Sequence, residues 1–157
     1  MKTVLLCVGK TKDSLMSEGI SLYTKRVQRY MPFDVVALPD VKTTKGMTEA
    51  RQKETEGAAI LNFIDNRDFV VLLDERGKEM TSREFSSFIE KKSVTVAGNL
   101  IFVIGGPYGF SKEVYDRADD KLSLSKMTFN HEMVRLFFAE QVYRAMTILR
   151  GEPYHHD

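Results

Sequence analysis

Residues 121–157 read KLSLSKMTFNHEMVRLFFAEQVYRAMTILRGEPYHHD, and the rest of the chain is organised around them. The stretch opens with a loop of small and polar residues, Ser123-Leu124-Ser125-Lys126-Met127-Thr128, and then runs from Asn130 to Arg150 without glycine or proline. That run predicts a helix. Asn130 is a good N-cap, because its side-chain oxygen can accept from an amide two or three residues on. Gly151 stands where a helix C-cap belongs, and Pro153 stops any continuation. At 100° per residue, Met133, Leu136 and Phe137 fall on a different side from Phe138, Val142, Ala145 and Leu149. One core cannot cover both sides, so the second side is expected to meet another copy of the chain, with Phe138 as an interface position. Tyr154, His155 and His156 follow as a short polar-aromatic tail.

Outside this stretch, buried strands alternate with helices. Thr3 to Val8 is a continuous apolar run of β-formers, the pattern of a strand covered on both faces. A helix begins at Asp13 or Ser14 and ends near Arg29, with Lys25, Arg26 and Arg29 placed where the helix dipole favours positive charge. Phe33 to Leu38 is a second strand, followed by a polar loop from Asp40 to Thr48. A helix spans Glu49 to Ile64, and its charged residues, Arg51, Lys53, Glu54 and Glu56, read as a solvated face. Phe69 to Leu73 is a third buried strand with a loop after it, Asp74-Glu75-Arg76-Gly77-Lys78. Thr81 and Glu84 form a capping box for a helix reaching about Lys92. Asn99 to Ile104 is a fourth strand, Ser111 caps a short helix to Arg117, and residues 122–124 form a last short strand. This alternation predicts one α/β domain over residues 1–157 with a mainly parallel sheet flanked by helices.

Composition bounds the function. The chain has 157 residues, 43% apolar and 29% charged, with a formal net charge of +1. That balance excludes a protein that coats nucleic acid by charge alone. The single cysteine, Cys7, excludes an internal disulfide framework, fits a reducing cytoplasm, and sits in an apolar run as an inert thiol. No stretch has the length of a membrane span. Gly9-Lys10-Thr11 is not a P-loop, because the first glycine of that motif would fall at Val4. Asp74 and Glu75 have no His or Cys near them in sequence, so no metal site is expected. The loop Gly105-Gly106-Pro107-Tyr108-Gly109 lacks the dinucleotide spacing, and is alone a structural turn as readily as a ligand loop. Ligands of open α/β sheets nonetheless bind at the carboxyl ends of strands, and three loops follow buried strands here.

The motif at 123–129, the following His131, Glu-Gln-Val-Tyr-Arg-Ala at 140–145, Arg-Gly-Glu at 150–152 and the pair Tyr154-His155 closely resemble one family. So do residues 102–109, and Val8-Gly9-Lys10 with Tyr23 and Arg26. It is the RlmH-type ribosomal RNA methyltransferases of the knotted SPOUT class, and the resemblance covers essentially the whole chain. It implies a C-terminal trefoil knot, a homodimer, and S-adenosylmethionine held by Leu73, Gly105, Leu124, Ser125, Lys126, Met127, Thr128 and Phe129. Leu73, Leu124 and Met127 would cover adenine. The one departure is Asn130, where the family commonly has proline. The implied reaction is methylation of N3 of pseudouridine-1915 in 23S rRNA within the assembled ribosome. His131, Arg135, Arg144, Tyr154 and His155 are the implied catalytic set, and Arg26 an implied phosphate contact. Structural alternatives stand beside these: His131 as part of a helix cap, Arg144 paired with Glu140, and Tyr154 with His155 in a free tail. Two other functions compete, a non-catalytic ribosome-associated factor and a small-molecule enzyme with a different nucleotide cofactor.

Overall fold

A computed structural model describes residues 1–157. The five strands are β1 (Thr3–Val8), β2 (Phe33–Leu38), β3 (Phe69–Glu79), β4 (Leu100–Ile104) and β5 (Asp120–Ser123). They form one sheet in the order β2-β1-β4-β3-β5, every pairing parallel. The helices are α1 (Ser14–Gln28), α2 (Glu49–Phe63), α3 (Ser82–Thr95), α4 (Lys112–Arg117) and α5 (Met133–Leu149). No helix is long and apolar enough to cross a membrane.

Side chains alternate across a strand, so each apolar strand feeds two cores. Leu5, Cys7, Val71, Leu100 and Phe102 point to one face, where they meet Val27 of α1, Phe85 and Ile89 of α3, and Phe138, Val142 and Ala145 of α5. Val4, Leu6, Val70, Leu72, Ile101 and Val103 point to the other, against Ile60 of α2 and Val114 of α4. Phe138 is the centre of the first core. It is fully buried, with its ring 4.7 Å from that of Phe102 and 5.8 Å from that of Phe85. Burying such a side chain contributes about 1.5–3 kcal/mol.

Four expectations change. Phe138 belongs to the chain's own core and not to an interface; on this helix the exposed apolar residues are Met133 and Phe137. Glu56 is buried, not solvated. β3 does not end at Leu73 but runs on to Glu79, and both Leu73 and Lys78 pair with Leu122. Residues 74–77 are therefore an excursion within the strand that stands out from the sheet. Finally, α5 begins at Met133, because residues 131–132 form a turn first. The Asn130 side chain still accepts from Glu132 N (2.9 Å) and Met133 N (3.2 Å), as its residue type predicts. At the far end Gly151 takes φ of +67°, a conformation glycine adopts without strain, and closes α5.

Burial pushes the Cys7 thiol up to about 11, with Arg135 opposing. The folded chain therefore favours the neutral thiol. Below the ordinary value of 9.0 this preference contributes in full; above it the unfolded chain ionises first, and the contribution falls away as pH rises toward about 11. The folded protein is expected to give no reaction with a thiol reagent at pH 8, and one equivalent in denaturant. Ready labelling without denaturant would contradict the burial of β1.

Candidate functional site: a cavity at the strand ends and a charged cluster on the last helix

Three segments converge at the carboxyl ends of β4, β3 and β5 and line a cavity of about 550 Å³, within the usual range for small-molecule sites. Residues 73–76 come from the irregular middle of β3, residues 104–110 run on from the last residue of β4, and residues 122–125 from the end of β5, with Met127, Thr128, Phe129 and His131 closing the rim. Each loop is held by its own hydrogen bonds. The Ser123 hydroxyl donates to Ser125 O (2.9 Å), and Ser125 Oγ accepts from Met127 N (3.0 Å). Glu132 accepts from Lys12 N (2.7 Å) and Asp13 N (3.0 Å). The turn carrying His131 is thereby tied to the start of α1, and those amides hold the Glu132 carboxyl below its usual range.

Of the residues assigned to a cofactor, Leu73, Gly105, Leu124, Ser125, Met127, Thr128 and Phe129 line this cavity. Lys126 does not; its side chain is 88% exposed and approaches Glu79 at 4.0 Å. Met127 is also largely exposed, so of the three residues assigned to adenine Leu73 and Leu124 remain as apolar wall, with Ile104, Phe110 and Leu122 beside them. The cavity also contains groups that sequence reading passed over. Tyr115 of α4 donates to Asp74, and burial followed by that bond pushes its phenol up to about 12, so it stays protonated. Lys53 of α2 reaches the same wall. Nothing in the local pattern marks Tyr115 or Lys53; only the pairing of β3 with β5 and the placement of α2 bring them in.

The five catalytic candidates separate into three places. His131 lies at the cavity rim, exposed, 3.9 Å from Glu132. Arg135 is buried and turned away from the cavity: its guanidinium donates to Val8 O (2.9 Å), Gly9 O (2.8 Å) and Thr11 Oγ1 (3.0 Å). Arg144, Tyr154 and His155 cluster at the other end of α5. Arg144 donates to Glu140 Oε1 (2.5 Å), its guanidinium lies 4.7 Å from the Tyr154 ring centre, and the Tyr154 hydroxyl donates to the same Glu140 oxygen (2.9 Å). Burial, Tyr23 and Glu140 together raise the Tyr154 phenol above its usual range. Arg144 Nη1 lies 3.2 Å from His155 Nδ1. An arginine can only donate, so Nδ1 accepts, and Nε2–H faces Asp157 at 2.9 Å. Arg83 of α3 binds both Asp157 oxygens and, with His155, holds that carboxyl below its usual range. The tail is therefore docked. The cluster nevertheless stands ten residues along the helix from Val134, the last α5 residue at the cavity, or about 15 Å at 1.5 Å per residue. No group of three or more His, Cys, Asp or Glu is arranged to hold a metal ion.

Comparison with known proteins agrees with this architecture. A family described as "Predicted SPOUT methyltransferase" matches residues 1–155. A "Ribosomal RNA large subunit methyltransferase H" from Christiangramia forsetii is 56% identical over 156 residues, covering 99% of each chain. A protein of the same name from Parabacteroides distasonis is 54% identical over 157 residues, covering all of both. Among solved structures, TrmJ from Z. mobilis superposes with a TM-score of 0.52 over 99% of this chain and 73% of that one, at 11% identity, a likeness of fold alone. With the fold, the strand-end cavity and full-length similarity all in agreement, the chain belongs to the SPOUT methyltransferase family.

Proposed function

We propose that this chain methylates ribosomal RNA with S-adenosylmethionine as donor, at N3 of pseudouridine-1915 in the 23S stem-loop of the assembled ribosome. The observation that carries the reading is the cavity at the ends of β3, β4 and β5. Its residues fit the cofactor. Leu73 and Leu124 offer apolar walls to an adenine ring, and the glycines at 105 and 106 let main chain approach closely. Asp74 and Glu75 set carboxylates beside a ligand that carries ammonium and sulfonium charge. S-adenosylmethionine supplies an already activated methyl group, so the protein's task is alignment and handling of the N3 proton.

N3 lies between two carbonyls, and charge developing there spreads onto both oxygens. Arg144, which keeps N–H groups beyond those given to Glu140 and His155, can donate toward those oxygens, and stabilising them lowers the barrier; Tyr154 and His155, whose own hydrogens go to Glu140 and Asp157, hold the guanidinium in place. Of the five catalytic candidates, His131 is the one at the cavity rim, and its imidazole can accept or donate a proton. Arg135 acts by position, fixing the helix that carries the others. Because the Arg144 cluster stands too far along α5 to serve its own cavity, the proposal includes a homodimer in which the tail of one copy serves the cavity of the other. The exposed Met133 and Phe137 on α5 are the apolar surface that such pairing would cover. Following the resemblance, the C-terminal segment would thread through a loop to form the trefoil knot, and the enzyme would act in the cytoplasm, where ribosomes are.

Calorimetry with S-adenosylmethionine tests the cavity. Gly105→Val is an impure probe, because a Cβ at Gly105 meets the Phe110 ring at 3.0 Å and loads the core. Thr128→Trp is cleaner: Thr128 is exposed, lines the cavity, and makes only a 3.5 Å contact with Glu75. The wild type is expected to bind, and the folded Trp variant to lose most of its affinity. Equal affinity would remove the cavity assignment.

Sedimentation tests assembly. The wild type is expected to run as a dimer at micromolar concentration, and Phe137→Asp as a folded monomer. A well-folded wild-type monomer would end the shared-site reading.

Initial rates of labelled-methyl transfer test the substrate. A net charge of +1 leaves little field to hold naked RNA, and Lys10, Arg26, Arg135, Arg144 and Arg150 are scattered in sequence. A target base must also be unstacked, at a cost of a few kcal/mol. Intact ribosomes are therefore expected to be methylated efficiently and deproteinised 23S rRNA poorly. Equal rates would show that the local RNA sequence suffices.

A further inference from the structure

The glycine loop of the cavity rests on α2, and one side chain there has no evident structural reason to be what it is. Glu56 is 4% exposed, and its Oε1 is buried without a hydrogen-bond partner. Its other oxygen has only a long contact of 3.5 Å from Gln52 Nε2 on its own helix. The carboxyl lies against the Cα of Gly106: a Cβ added there would fall 2.5 Å from Oε1 and 2.7 Å from Cδ. Only glycine fits. The next residue, Gly57, packs against the Ser111 side chain at the far end of the same loop. Lys53, one turn earlier, lines the cavity. One face of α2 thus supports the loop at both ends and continues into the cavity wall.

A buried polar atom left without a partner lowers stability, and an unbranched apolar side chain of similar length would not incur that cost. Burial also raises the pKa of this carboxyl, opposed only by Gln52, so no charged side chain compensates it. A group that lowers stability, placed beneath the loop that must accommodate a ligand, calls for a functional reason.

We propose that Glu56 is a positioning residue for the cofactor loop: its carboxyl seats Gly106, and its free oxygen accepts a hydrogen bond from the loop's main chain when residues 105–109 close on a bound nucleoside cofactor. The proposal deepens the reading of the cavity and rests on it. Glu56 touches neither the cavity nor the reacting atoms. It acts through the loop, so removing its acceptor weakens cofactor binding while leaving the fold at least as stable.

The test uses the full chain with Glu56→Met and Glu56→Gln. Thermal midpoints, hydrogen exchange of amides 105–110 with and without S-adenosylmethionine, and calorimetric affinity are measured for each. Glu56→Met fills the same space without an acceptor. Its midpoint is expected to match or exceed the wild type, while its affinity falls about tenfold or more and the ligand-induced protection of the loop is lost. Glu56→Gln keeps an acceptor oxygen and is expected to stay within about twofold of the wild type, a rescue that a space-filling role would not require. On ribosomes the Met variant should raise KM for the cofactor more than it lowers kcat. Wild-type affinity in Glu56→Met overturns the proposal, as does a parallel loss of midpoint and affinity, which would make Glu56 a core residue. Equal weakening by Met and Gln overturns the acceptor role. A wild-type chain that takes up no S-adenosylmethionine strikes the cavity reading instead. Exchange of the free loop then decides the seat: faster exchange in Glu56→Met supports it, and unchanged exchange overturns it.

Discussion

The buried guanidinium of Arg135 is the interaction on which the arrangement of the molecule depends. Three donated hydrogen bonds, to Val8 O, Gly9 O and Thr11 Oγ1, join the first turns of α5 to the end of β1, across 126 residues of sequence in the case of Gly9. A buried cation is costly unless its donors are taken up; here both terminal nitrogens are bonded while Nε has no partner, and two of the acceptors are main-chain carbonyls that no substitution removes. The bond therefore sets the rotation of α5 about its axis as well as its position. With that rotation fixed, Phe138, Val142 and Ala145 fall onto the sheet, and His131 falls at the cavity. Arg144 and the tail are carried to the opposite end.

A second consequence concerns polarity along the helix. The N-terminal end of α5 is tied to α1 through Glu132, and its C-terminal end is tied to α3 through Asp157 and Arg83. Both ends of the terminal segment are thus fastened to the body of the same chain. The aromatic ring of Tyr143 joins the two by packing 4.7 Å from Tyr154 and 5.9 Å from Tyr23. Arg26 lies over both Tyr23 and Tyr143, at 5.3 and 5.6 Å. The functional groups of the tail are held by packing and ion pairs before any partner arrives, which reduces the ordering cost of binding.

What could be read from the chain follows from which forces are local. β1 and β2 lie where their apolar runs put them, and Asp13, Thr48, Thr81 and Ser111 cap their helices through bonds three residues away. The cavity loops were legible because glycine and strand-end position are local signals. Arg135 and Glu56 were not. Both are charged residues on helices with other charged residues, and only the tertiary fold decides that one finds three acceptors and the other is pressed against Gly106. The extension of β3 was hidden for a related reason. Residues 74–79 carry no apolar alternation, and the strand resumes at Lys78 and Glu79 because β5 lies alongside to pair with them. Interface and core were confused at Phe138, because helix periodicity separates two faces without saying which one the sheet covers.

The parallel order β2-β1-β4-β3-β5 also dictates when this chain can become a folded one. β1 precedes β2 and can find it soon after, but its other neighbour, β4, begins at Leu100, and the cover over Leu5 and Cys7 comes in part from Phe138 and Val142. Long-range pairings of this kind close slowly, and an apolar face that waits for its cover is exposed to aggregation meanwhile. A nascent chain halted before α5 would present strands without that cover. The helix that closes over β1 is made well after it, so this core is complete only once Met133–Leu149 has been synthesised.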